Sequence, residues 1–392
     1  MQATLSGTSR IHSIDVVRGI VMVIMALDHV RELYHVTALT QNPTDLAVTT
    51  PALFFTRWVT HLCAPTFVFL SGTSAYLSMQ KAADRRKTRR FLLIRGLWLI
   101  VLEFTLVNFG IWFDIRFSVL LFQVIAAIGI GFVLLGLSIR CTPKCIGLLG
   151  LSVIFLHNVF PFLPLSQLPV AAALLNPLFT PNVLPIGGTT LIIGYPPIPW
   201  VALLFAGFGL GAYVQRADIN RPRLWLLLGM VSLLLFVVLR AVNGYGDPAP
   251  WATHDRIGPT VMSFLNVTKY PPSLLFCLLM LGLMFLLLAV AERVPLRYTA
   301  AIADYGKVPL FYYVLHWYLI HIGLFAVLLI QGFQPSDFRF GFRFGRPEEG
   351  GGLDLLGVYV VWIAAVACLY IPCKRYAAYK LRHPEKRWLR YL

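Results

Sequence analysis

The sequence predicts an all-α, polytopic integral membrane protein of about ten transmembrane helices with both termini cytoplasmic. Three observations carry that expectation. The chain has 392 residues, 58% hydrophobic and only 13% charged, where a soluble domain carries about 25% charge. Its mean hydropathy is +0.74, an apolar excess that one water-soluble core cannot hide, because cores stop growing near ~250–300 residues. Its Lys and Arg alternate between crowded and sparse connections, as the positive-inside rule requires of successive spans. Together these exclude an ordinary cytosolic enzyme, a disordered chain and a secreted disulfide scaffold. The formal charge of +16 would suggest nucleic acid in a soluble protein. Here it marks the cytoplasmic face of a membrane protein, and no nucleic-acid partner is expected.

Taken in order, apolar runs of spanning length lie near 16–35, 53–79, 91–113, 117–138, 145–163, 196–214, 223–241, 272–291, 308–330 and 353–373. The first contains Asp28, His29 and Arg31 and precedes no small-x-small cleavage site. It therefore reads as a retained helix, not a signal peptide. The apolar stretch 168–179 is too short for a clear span and reads as re-entrant or interfacial; counted as a span, it makes eleven. With the N-terminus inside, the inner segments hold Arg10, the cluster from Lys81 to Arg95, Arg140 and Lys144, Arg216 to Arg223, and Arg293, Arg297 and Lys307. The outer ones hold few: Arg116, Arg256, Lys269, Arg339, Arg343 and Arg346, with Arg240 at a helix end. The basic tail 374–392 is then cytoplasmic, and 1–392 forms one domain without internal repeats. Asn266-Val267-Thr268 fits a glycosylation sequon on the outer side. Cys141 and Cys145 have no second pair or His at zinc spacing, so no metal site is expected.

Ionisable groups inside a bilayer are expensive and usually line a pathway. The first helix is the richest in them. Arg18 and His29 are eleven residues apart, almost three whole turns, so they share a face and stand roughly 16 Å apart along the axis. Asp28 and Arg31 sit at i,i+3, spaced to pair. Arg57 and His61 share a face of the second helix, and Pro65 frees the carbonyl of His61. Ser71, Gly72 and Ser74 follow, small enough to admit either a thin ligand chain or a neighbouring backbone. Glu103 and Asn108 lie in the third span, Gln123 in the fourth, and Tyr312, Tyr313, His316 and His321 in the ninth. Three helices offering His to one cavity point to a functional cluster. No P-loop, dinucleotide fingerprint, HExxH or Gly-x-Ser-x-Gly motif is present.

These residues carry a resemblance. Ser13-Ile14-Asp15-Val16-Val17-Arg18-Gly19 with Ala26-Leu27-Asp28-His29-Val30-Arg31, and the stretch from Pro65 through Phe67, Phe69, Gly72 and Ser74 to Met79, resemble the catalytic-domain family of heparan-alpha-glucosaminide N-acetyltransferase. Phe122-Gln123 and Gly306-Lys307 through His316 look like later segments of it. The spacing of Arg18 and His29 is also similar to that of the wider transmembrane acyltransferases that modify sugars. The chain departs from the lysosomal member at His29, where that enzyme has Asn, and at His61, where it has an acidic residue. It looks more like bacterial members.

The resemblance implies a multi-pass acyltransferase of a bacterial plasma membrane. An acetyl group would pass from cytoplasmic acetyl-CoA to a sugar amine or hydroxyl, such as a glycan, on the outer side. The inner Lys and Arg, Lys307 among them, would hold the CoA phosphates, with Arg18 first among them. His29 is the expected general base, tuned by Asp28 unless Asp28 pairs with Arg31 or Arg57. His61 and His316 are second candidates for the base or for donors to the thioester oxygen. Gln123 would orient the acetyl carbonyl, and Ser71 and Gly72 would admit the pantetheine arm. Direct transfer and an acetyl-histidine intermediate both fit these residues. The competing class is a transporter or flippase without covalent chemistry, which the same polar helices would suit. A homodimer would be ordinary for such a protein.

Overall fold

The computed structural model describes residues 11–80 and 84–391; Arg10 and Lys81, counted above among the inner cations, lie outside the described residues. The described chain is 70% helical, with thirteen helices. They are α1 (His12–Tyr34), α2 (Pro51–Met79), α3 (Arg85–Trp112), α4 (Val124–Leu137), α5 (Pro143–Phe162), α6 (Pro169–Phe179), α7 (Pro197–Val214), α8 (Arg221–Val242), α9 (Ile257–Leu265), α10 (Leu274–Ala291), α11 (Leu296–Lys307), α12 (Pro309–Ile330) and α13 (Leu355–Arg382). Eight of them, α2, α3, α5, α7, α8, α10, α12 and α13, are long and apolar enough to cross a membrane. This is an all-α polytopic membrane protein.

The other two expected spans differ from the eight in instructive ways. Helix α1 has 23 residues, ample length for a span, but its charges lower its hydropathy. It is buried on nearly every side and packs against α2, α10, α11, α12 and α13. A helix apolar all round belongs in a core, and here the charged residues have been taken into the core as well. The expected span at 117–138 is not one continuous helix. It is a strand, β1 (Val119–Phe122), followed by α4, which has only 14 residues. Asn108 explains the break, because its amide donates to Val119 O and its Oδ1 accepts from Leu121 N, both at 3.0 Å. On its other side β1 pairs in parallel with β3 (Thr189–Ile193), which forms a hairpin with β2 (Asn182–Ile186) around Gly187 and Gly188, both at positive φ. Non-helical backbone at depth is tolerated only when protein groups satisfy it in this way.

Helix α6 covers the stretch read as re-entrant or interfacial. It has 11 residues and none is buried, too short to span, so the count does not rise to eleven. The sequon at Asn266 is built into the fold. Asn266 Nδ2 donates to Thr44 O at 3.0 Å, and Thr268 Oγ1 donates to Asp247 at 2.8 Å. Both polar side chains of the tripeptide brace outer loops. All six cysteines are free thiols.

Candidate active site

The site begins at the α1–α11 crossing. A Cβ on Gly306 would stand 1.8 Å from Asp15 O, and one on Gly19 would stand 1.9 Å from Ile302 O. The two backbones touch because neither position has a side chain. This contact sets the depth of Arg18, one residue before Gly19. Arg18 donates to Ser74 Oγ on α2, and Ser74 in turn donates to Leu70 O at 2.6 Å. Asp15 lies 3.6 Å from the same guanidinium.

Arg18 lines a cavity of about 700 Å³ bounded by α1, α2, α3, α4, α12 and the end of α13. Its cations are Arg18, Lys87, Arg95 and Lys380, and the rest of its wall is mostly apolar. On α3 the lining runs from Lys87 to Leu99, which at 1.5 Å per residue is roughly 18 Å. That is comparable with an extended phosphopantetheine arm. Lys87 stands at one end of that run and Arg95 eight residues on, roughly 12 Å along it, so cations line both the mouth and the middle of an otherwise mostly apolar shaft. Ser71 and Ser74 contribute to the lining, and its inner end is formed by Leu99, Val124, Ile125 and Tyr313.

Beyond Tyr313 lies a pair of histidines. His29 Nδ1 and His316 Nε2 are 2.6 Å apart, a hydrogen bond between α1 and α12. The His29 ring stacks on Trp317 with centroids 4.0 Å apart and meets Tyr313 edge-on at 6.5 Å. His316 is fully buried, while His29 is half-buried. Asp28 turns away from the pair. It bonds Arg57 of α2 and, at 3.2 Å, Arg31 one turn on. Adjacent residues on a helix face different directions, so Asp28 anchors α1 to α2 rather than bonding His29.

The other expected site residues fall differently. His61 sits where α2 is interrupted between Thr60 and Cys63, as the proline four residues later predicts. It meets Phe276 edge-on at 5.8 Å, and its buried Nδ1 has no hydrogen-bond partner. No side-chain bond joins it to the histidine pair. Gln123 accepts from the Tyr313 hydroxyl at 3.4 Å. Two expectations are corrected. Gly72 does not face a ligand: its Cβ would meet Leu204 O at 1.9 Å, so it is the packing seam between α2 and α7. Lys307 does not line the cavity; it pairs with Asp304 at 2.6 Å on α11. His321 is held by Gly110 O and Phe344 O at 3.1 and 2.8 Å, a structural role.

Sequence reasoning missed two features and named a third residue without its role. Trp317 as the platform under His29 had no signal beyond its place next to His316. The position of Tyr313 between cavity and histidines needed the distance between chain-remote helices. The third is Glu103, where α3 winds through one wider, π-helical turn over Glu103–Val107, a deviation common at functional sites. Its fully buried carboxylate accepts from Ala126 N at 2.9 Å and so caps the start of α4 beside the inner end of the cavity. Among the described residues no group of His, Cys, Asp and Glu could hold a metal ion.

Residues 10–239 match a family model described as "Heparan-alpha-glucosaminide N-acetyltransferase, catalytic", more than half of the chain. No curated protein matches the sequence.

Proposed function

We infer the reaction from a premise now in hand: the chain belongs to the heparan-alpha-glucosaminide N-acetyltransferase catalytic family and is a membrane acetyltransferase. We propose that it takes the acyl group from cytoplasmic acetyl-CoA and delivers it to a sugar amine or hydroxyl on the outer side of a bacterial plasma membrane. One observation supports this most directly. A cavity lined by four cations and an otherwise mostly apolar wall reaches Tyr313, whose ring contacts both members of a hydrogen-bonded histidine pair.

Arg18, Lys87, Arg95 and Lys380 would hold the donor phosphates, and the apolar wall would hold the arm. Acetyl-CoA supplies an acyl carbon activated by its thioester. With His29 donating from Nδ1 to His316 Nε2, the His29 Nε2 lone pair would be left for a substrate. His29 then takes the proton of the acceptor as the acceptor nitrogen or oxygen bonds to the acyl carbon, and returns it to the departing thiol. Trp317 keeps the imidazole plane fixed while this happens. Gln123, whose amide Nε2 is a donor, would orient the acyl carbonyl oxygen.

The test is binding of acetyl-CoA by the protein purified in detergent, compared with free CoA and a CoA-free thioester. Saturable binding of both CoA compounds, weaker in Arg18→Ala, is the expected result. A charge-assisted bond of about 1.5–3 kcal/mol corresponds to a loss of roughly ten- to a hundredfold. A folded sample that binds neither CoA compound would overturn the reading in favour of a transporter.

A further inference from the structure

Among the described residues, Tyr313 alone both lines the cavity and makes a ring contact with His29. It is 4% exposed, a packed residue and not one swinging in open space. Its ring stands edge-on to His29 at 78° and lies 5.4 Å from His316. Its hydroxyl reaches Gln123 at 3.4 Å, a bond at the long limit of useful geometry. Gln123 immediately precedes α4, so Tyr313 is latched weakly to the opposite wall.

On α1 and α12 the lining stops short of the histidines. On α1 it includes Arg18 and Met22 but not His29; on α12 it includes Leu310 and Tyr313 but not His316; on α4 it stops at Val124, where the helix starts. The phenol ring lies between the lining and the imidazoles and contacts both rings.

We propose that Tyr313 is the door between the donor cavity and the histidine pair, and that it restricts the donor to short acyl groups. The inference rests on the reading of the cavity as an acyl-CoA site. With the phosphates held by the lining cations, the thiol arm has a set reach. The acyl carbonyl therefore arrives at one depth whatever chain it carries, and only the atoms beyond the carbonyl differ. A methyl group fits beside a ring that turns by one rotamer step and breaks a weak latch. A longer chain needs the space that Tyr313 itself occupies, in an interior packed too densely to yield it.

The experiment measures binding of acetyl-CoA and hexanoyl-CoA to the full chain in detergent, for wild type, Tyr313→Ala and Tyr313→Phe. Wild type is expected to bind hexanoyl-CoA roughly tenfold or more weakly than acetyl-CoA, the cost of overpacking a closed end. Tyr313→Ala is expected to narrow that gap to within about threefold, because the removed ring leaves room for the chain. Tyr313→Phe keeps the ring and should keep the gap. If Tyr313→Ala does not fold, Tyr313→Leu, which shortens the side chain without emptying the site, takes its place with the same expectation. Equal affinity of wild type for both donors, or an unchanged gap in the folded Ala or Leu variant, would overturn the door. A folded wild type that binds neither acetyl-CoA nor CoA would instead overturn the donor site, and the door with it.

Discussion

Replacing His29 by Ala is expected to abolish acyl transfer while leaving the melting transition close to wild type, since His29 is half-buried and its one hydrogen bond is to His316. General-base catalysis of about 10²- to 10⁴-fold is lost with the imidazole. His61→Ala should cost much less turnover, because no side-chain bond ties His61 to the pair; equal losses in the two variants would return His61 to the chemistry. Incubation with radiolabelled acetyl-CoA and no acceptor separates the two routes. Label retained on wild type and absent from His29→Ala would mean an acetyl-histidine, and no label would mean direct transfer. Asp28→Asn acts on a different axis. It removes the carboxylate that both Arg31 and Arg57 bond, and breaking a buried pair costs about 3–5 kcal/mol. A sharply lowered melting temperature in detergent is expected. The placement of Arg18, Asp28, His29 and Arg31 along one helix was legible in advance, because it follows from 3.6 residues per turn. The partner of His29 was one of two further histidines, and spacing within a helix cannot rank contacts 287 residues apart. Gly72 was misread for a related reason, since a small residue invites a ligand and a backbone equally.

At the scale of elements, the contact of α1 with α11 is the joint on which the depth of Arg18 depends. Gly306→Ala would drive a methyl into Asp15 O, and overpacking of this kind costs typically about 1–3 kcal/mol. A lower melting temperature together with weaker acetyl-CoA binding is the expected pair of effects, because shifting α1 moves Arg18 as well. Wild-type values for both would show that the crossing is soft. The apolar runs placed the long helices well, since hydropathy reports them directly. It could not report β1. Val119–Phe122 is as apolar as the helix that follows, and only the Asn108 side chain and the β2–β3 hairpin make an extended backbone affordable there.

For the whole molecule, the alternation of basic residues assigns a cytoplasmic side, and that assignment can be checked with the native thiols. Cys141 and Cys145 are exposed in the connection read as inner, whereas Cys63, Cys277 and Cys373 are buried. A membrane-impermeant maleimide should leave Cys141 and Cys145 untouched in sealed right-side-out vesicles and label them once the vesicles are opened. Labelling before opening would invert the topology and move the cavity mouth to the other face.

The closed end of the cavity has a consequence for energetics. On the proposed reading, the polyanionic carrier stops at Tyr313 and never crosses. An acylium equivalent passes outward while the proton of the acceptor returns inward on the thiol. The two movements cancel in charge, so each turnover is an electroneutral exchange and does no work against the transmembrane voltage, which would otherwise weigh about 2.3 kcal/mol per charge at 100 mV. Turnover in energised vesicles should therefore be unchanged when an ionophore collapses the voltage. The thioester bond alone would drive delivery to the far side.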